Sequence, residues 1–169
     1  MFVVRLIKTA MVASCALFAL LVAYDNLVDY DTNYQFVRHT LSMDTTFPGN
    51  ALMGRAIIAP WAWTAGYWLI IATEAVTGLI LAIAAIRLLR LSQGPARAFN
   101  TAKSLVMVGC GIGFLLWFTG FMVVGGEWFA MWQSKTWNGQ TAAFHFYMAL
   151  LGVMIFVNQP DGELEGTTT

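Results

Sequence analysis

Four apolar stretches, each long enough to cross or nearly cross a bilayer, leave this chain few folds to choose from. Residues 9–24 carry no charge, residues 61–86 carry only Glu74, residues 104–124 carry none, and residues 141–157 make a shorter fourth run. At ~1.5 Å of rise per residue, about twenty residues span the hydrocarbon core of a membrane. Lipid offers no hydrogen-bond partners, so an isolated spanning segment must satisfy its backbone internally and is helical. The expected fold class is therefore an all-α membrane protein, a four-transmembrane-helix bundle over residues 1–160, with a flexible tail over 161–169. A chain of 169 residues that is 59% hydrophobic and 11% charged is consistent with this class and with no ordinary soluble domain.

The nine basic and nine acidic residues cancel, which gives no reason to expect nucleic acid or an acidic substrate as partner. Their placement is more informative. Arg5, Lys8, Arg87, Arg90, Arg97 and Lys103 fall on one side of the threaded chain, and Arg38, Arg55 and Lys135 on the other. Because the side richer in Lys and Arg is cytoplasmic, both termini are expected inside, with Arg5 and Lys8 snorkelling from the first helix. Loops 25–60 and 125–140 then share the periplasmic face. Cys15 and Cys110 sit within apolar runs and form no metal or redox motif. Val12-Ala13-Ser14-Cys15 imitates a lipoprotein site, but the six residues between Lys8 and Cys15 are too few for a signal h-region. The first segment reads as an uncleaved signal anchor.

The richest stretch is Gly125-Gly126-Glu127-Trp128-Phe129-Ala130-Met131-Trp132-Gln133-Ser134-Lys135-Thr136-Trp137-Asn138-Gly139-Gln140, which packs three of seven tryptophans between two apolar runs. Tryptophan at a boundary is an ordinary membrane anchor, but a carboxylate between Gly-Gly and Trp followed by an Asn-Gly turn exceeds what anchoring requires. Loops 25–60 and 125–140 are expected to fold together as a periplasmic cap, with Arg38, His39, Asp44, Arg55, Glu127, Trp128, Trp132 and Trp137 as its interaction residues. Glu127 is expected to accept hydrogen bonds from, or pair with, Arg38, His39 or Arg55.

Glu74 lies about thirteen residues into the second run, which at ~1.5 Å per residue places it near the bilayer centre. A carboxylate there must face protein or be neutral. Gly78 and Ala82 follow at i+4 spacing, so Glu74 shares a small-residue stripe that lets another helix approach. It is either a structural neutral acid or a proton relay or subunit contact. Gly109 and Gly113, four apart, give the third helix a packing face of the same kind.

Few residues invite catalysis. His39 in the outer loop and His145 in the fourth helix are at unmatched depths for a bis-histidine haem. Asp29-x-Asp31-x-Asn33 starts like a calcium loop but has Tyr34 where the turn glycine belongs and Thr40 where the bidentate glutamate belongs. A metal on His39, Asp44 and Glu127 is chemically feasible, though no spacing demands it. No nucleophile–base pair or phosphate-binding loop occurs. The expectation is a non-catalytic protein with no cofactor and no metal.

Asn33-Tyr34-Gln35-Phe36-Val37-Arg38-His39-Thr40-Leu41-Ser42-Met43-Asp44-Thr45-Thr46, the Gly-Gly-Glu-Trp-Phe-Ala-Met-Trp-Gln-Ser segment and Trp137-Asn138-Gly139-Gln140 together resemble a bacterial family of predicted small integral membrane proteins, catalogued as a domain of unknown function. The chain departs from that family in having Gly54-Arg55-Ala56-Ile57 where Trp-Arg-Ala-Ile is usual, and His145 where arginine is common. The resemblance implies four spans in a bacterial inner membrane and no particular activity. On this reading the chain is an accessory subunit packed in lipid against a larger, respiratory-type membrane complex. A small transporter or ion-conducting oligomer using Glu74 is the alternative, and an enzyme or cytochrome the third.

Overall fold

The structure is a computed structural model and describes residues 1–164. All regular elements among these residues are helical. They are α1 (Phe2–Val28), α2 (Tyr30–Ser42), α3 (Pro60–Arg90), α4 (Ala96–Ala102), α5 (Ser104–Phe114), a π-helical continuation over Leu115–Trp128, and α6 (Gln140–Asn158), with short 3-10 turns at Met53–Arg55 and Met131–Gln133. Four helical stretches, Phe2–Val28, Pro60–Arg90, Ala96–Trp128 and Gln140–Asn158, are long and apolar enough to cross a membrane.

α1 runs antiparallel to α3, with Arg5 against Ser92 at one end and Asn26 against Glu74 at the other. Its buried stripe, Val12, Ala16, Ala19, Ala23 and Asn26, repeats every three or four residues, and the small side chains let α3 come close. Glycines do the same at the other interfaces. A Cβ on Gly78 would lie 2.6 Å from Leu20 of α1, one on Gly109 would lie 2.7 Å from Leu81 of α3, and one on Gly113 would lie 2.6 Å from Leu150 of α6. Phe18, Trp117 and Phe146 form an aromatic cluster among α1, the π segment and α6, with ring centroids 4.6 to 5.9 Å apart.

Segment 25–60 is more ordered than a loop. α1 extends to Val28, and residues 30–42 are helical in spite of their Asp, Asn and Thr content. The reason is a face of Tyr30, Tyr34, Val37 and Leu41, spaced as one side of a helix, that packs on Tyr67 and Ile71 of α3. Asp29 occupies the N-cap position of α2 without capping its backbone, and its carboxylate accepts from the Thr32 hydroxyl at 3.0 Å across the α1–α2 junction.

The two cap segments meet. Met43, Phe129 and Ala130 are buried together, Thr45 donates to the Ser134 hydroxyl at 2.9 Å, and the Phe47 amide donates to Gln133 at 3.0 Å. Met43 and Ala130 both hold positive φ, 53° and 51°, in this junction.

The opposite end is closed by a plug. Arg5 and Lys8 do not snorkel; they are 0% and 2% exposed. Arg5 donates to the carbonyls of Ser92, Gly94 and Gly162, while Lys8 and Lys103 both donate to the Asp161 carboxylate and the Gln159 carbonyl. Burial alone would raise the pKa of Asp161, but hydrogen bonds from Lys103 and Lys8, with their charges, outweigh it and hold the carboxyl below the usual carboxylate range. The expected frayed tail therefore does not begin at 161. Residues 161–164 belong to the folded unit, because unpaired buried cations require Asp161, and the rest of that expectation falls on 165–169, outside the described residues.

Candidate functional site

Glu74 is 2% exposed, and its Oε2 accepts a hydrogen bond from the Asn26 amide at 2.7 Å. Asn26 is the next member of the buried α1 stripe, so helix periodicity aims it at α3. Its own side-chain oxygen accepts from Asn33 at 2.7 Å, and its backbone carbonyl accepts from the Tyr67 hydroxyl at 2.8 Å. Exposed Asn33 is thus linked through Asn26 to the buried carboxyl.

Beside this relay is a cavity of about 290 Å³ with Glu74, Asn26 and Asn33 on one wall. Trp117 and Phe146 line its other side, and Thr136 and Asn138 from the cap also line it. Asn33, Thr136, Asn138 and Ala142 are its exposed lining residues, so the mouth is mostly polar and opens at the cap end. The π-helical segment supplies Trp117 and Phe121 to the cavity; π geometry inside helices is rare and frequent at functional sites.

Glu74 lies nearer the cap end of the four-helix section than a count along its own helix suggests. α6 is the shortest span, 19 residues or about 28 Å at 1.5 Å per residue, and the cavity residues Ala142, Ala143 and Phe146 lie within about 9 Å of its start at Gln140. Asn26, the partner of Glu74, also follows directly on exposed Asp25. Glu74 therefore lies toward the cap end of the four-helix section. Counting from Trp61 overshoots because the first turns of the 31-residue α3 rise alongside α2, beyond the four-helix section.

The cap residues come together by stacking. The Arg55 guanidinium lies 4.6 Å from the centre of the Trp128 ring and donates to the Trp128 carbonyl at 3.2 Å. It reaches the Glu127 backbone carbonyl at 3.5 Å and not its carboxylate, which is exposed and in no ion pair among the described residues. The expected Glu127 pairing is thereby replaced by Arg55 on Trp128, since water solvates an exposed carboxylate as well as a partner does. Arg38 lies 5.5 Å from the Trp63 ring centre and donates to Gln35. His39 contacts Asp44 at 2.8 Å and stacks on Trp137 at 4.8 Å, while Trp132 meets Phe47 edge-on at 5.8 Å. His39, Asp44 and Glu127 do not gather around one point, and among the described residues no cluster of three or more His, Cys, Asp or Glu occurs.

Asn26, Asn33, Tyr67 and Asp161 are functional candidates that the chain order hides. Asn26 is legible as the continuation of the Val12–Ala23 stripe, and Asp161 as the first of three acids after Pro160.

The model of a family described as predicted small integral membrane protein (DUF2165) matches residues 4–160. No curated protein and no solved structure matches the chain.

Proposed function

The chain belongs to the DUF2165 family of predicted small integral membrane proteins, and from that premise we propose that it is a non-catalytic ligand-binding protein whose working part is the Glu74 cavity. One observation carries this reading: a buried carboxyl with a single protein partner lines a cavity open at the cap end. A buried polar group is normally satisfied, and a neighbouring cavity with polar walls is the usual form of a small-molecule site. An N–H or O–H donor on the ligand would meet the acceptor positions of Glu74 that Asn26 leaves open, and the amides of Asn33 and Asn138 at the mouth can accept or donate as the ligand requires. We place the plug end in the cytoplasm and the cap in the periplasm of a bacterial inner membrane, since six of the nine basic residues lie at the plug end.

The test is to excise wild-type protein and Glu74→Ala from membranes in native polymer-bounded lipid patches and compare the small molecules retained. The reading expects at least one compound enriched with wild type and depleted roughly tenfold or more in the variant, the effect of losing one charge-assisted hydrogen bond. Identical small-molecule content in the two folded proteins contradicts it.

The accessory-subunit role is the second reading, favoured by apolar side chains left exposed around the cap. Ile58 is 77% exposed, Trp61 76% and Trp128 54%. Large exposed apolar groups mark either lipid contact or a partner surface. A membrane protein retained in the same patches in fixed ratio, and lost on Trp61→Ala, supports that role over the first. Transport through the Glu74 cavity would in addition require the Lys8–Asp161–Lys103 plug to open.

A further inference from the structure

A second cavity, about 190 Å³ and almost wholly apolar, adjoins the first, and Phe36, Val37, Ile70 and Phe121 line both. Its rim carries Leu69, 67% exposed, and Val124, 43% exposed, so the crevice opens through apolar residues where the Glu74 cavity opens through polar ones. One mouth suits lipid and the other suits water. The crevice also holds an unmet polar group: Thr40 lines it, is 8% exposed, and its hydroxyl has no partner. A helical threonine usually satisfies its hydroxyl on the carbonyl four residues back, and here it does not.

We propose that the two cavities are one site for a single-chain amphiphile, with its head, bearing an N–H or O–H donor, on Glu74 and its hydrocarbon tail in the crevice behind Phe36 and Phe121. The inference rests on the reading of the Glu74 cavity as a ligand site and adds the class of ligand. Phe36, Val37, Ile70 and Phe121 are all that stands between the carboxyl's cavity and the apolar crevice, and both volumes together reach the range of about 300–1,000 Å³ typical of small-molecule sites. A tail in the crevice moves apolar surface out of contact with water at the cap boundary, while the head meets the one carboxyl there.

The fold supplies a variant that blocks the tail alone. Gly120 lines the crevice, and a Cβ built on it meets only Leu116, at 3.8 Å, so the side chain of Gly120→Leu starts from open space and takes up crevice volume. The probes are a long-chain primary amine with a diazirine midway along its chain, a two-carbon diazirine amine, and the methyl ester of the long chain, used on protein in lipid nanodiscs. In wild type the long amine should crosslink saturably to residues 36–41 and 116–124, and the ester, lacking a donor, should not. Gly120→Leu should lower that labelling by roughly ten- to a hundredfold, as steric blocking of an apolar pocket does, and leave the short amine's labelling of the Glu74 cavity unchanged. Glu74→Ala should abolish both. Undiminished long-amine labelling in Gly120→Leu, or ester labelling equal to the amine's, overturns the amphiphile and leaves the cavity reading standing. Failure of the short amine to label wild type in a Glu74-dependent way overturns the cavity reading itself.

Discussion

Asp161→Ala should cost about 3–5 kcal/mol of stability, more than any other single change at the plug end, because it strips the one carboxylate from between two buried ammonium groups. Lys8 is 2% exposed and Lys103 3%, and both donate to the same oxygen of Asp161. Without it each retains only neutral acceptors such as the Gln159 carbonyl. Glu163, exposed and accepting one backbone hydrogen bond from Ala96, is the control, and Glu163→Gln should stay within about 0.5 kcal/mol. Unfolding in detergent followed by tryptophan fluorescence measures both. The same carboxyl sets a pH dependence. Its folded value is depressed, so its contribution is fully present above the unfolded value of about 3.9 and is lost as pH falls from there through the lower folded value. Wild type should therefore lose stability below about pH 4, and Asp161→Ala should show less of that acid-linked loss. Equal stability of Asp161→Ala and Glu163→Gln would mean that the plug is not a unit.

Gly78→Leu should be the most damaging change within the bundle. A Cβ there would lie 2.6 Å from the Leu20 Cγ and 3.0 Å from the Leu20 backbone nitrogen, so rotamer adjustment cannot relieve it and α1 must move away from α3. Overpacking of this kind costs about 1–3 kcal/mol for the first carbons and more when backbone must shift. The displacement also strains the Asn26–Glu74 hydrogen bond, since Asn26 lies under two turns further along α1. Gly111→Leu provides the contrast. Nothing lies within 4 Å of a Cβ at that position, and replacing a helical glycine there should be neutral or stabilise by up to about 1 kcal/mol. Thermal unfolding of the pair separates packing from helix propensity, and comparable losses in both would show that the α1–α3 contact is not close.

The spanning helices and the basic end were legible because hydropathy and charge asymmetry are long-range averages that survive local exceptions. What remained hidden depended on geometry within a turn. Polar Asp31, Thr32 and Asn33 masked the Tyr30, Tyr34, Val37 and Leu41 face, and that face makes residues 30–42 a helix and raises the first turns of α3 above the bundle. The place of Glu74 along the bundle depends on the same face. Glu127 attracted attention as a charge at an apolar boundary, yet its side chain is exposed and the cap is joined by Arg55 over Trp128 and His39 on Trp137. The cavity itself could not be read from the chain, since its walls come from α1, α2, α3, the π segment, the cap and α6.

Access to Glu74 from one side is the most direct measurement of the site. In a background with Cys15 and Cys110 changed to alanine, Glu74→Cys can be treated with a membrane-impermeant thiol reagent in intact cells and in inside-out vesicles, with a permeant reagent to count reactive protein. The cavity opens through Asn33, Thr136 and Asn138 at the cap end, while Arg5, Lys8, Lys103 and Asp161 close the other end. Modification from the periplasmic side alone is the predicted result. Modification from the cytoplasmic side, or by the permeant reagent only, would contradict an outward-opening site.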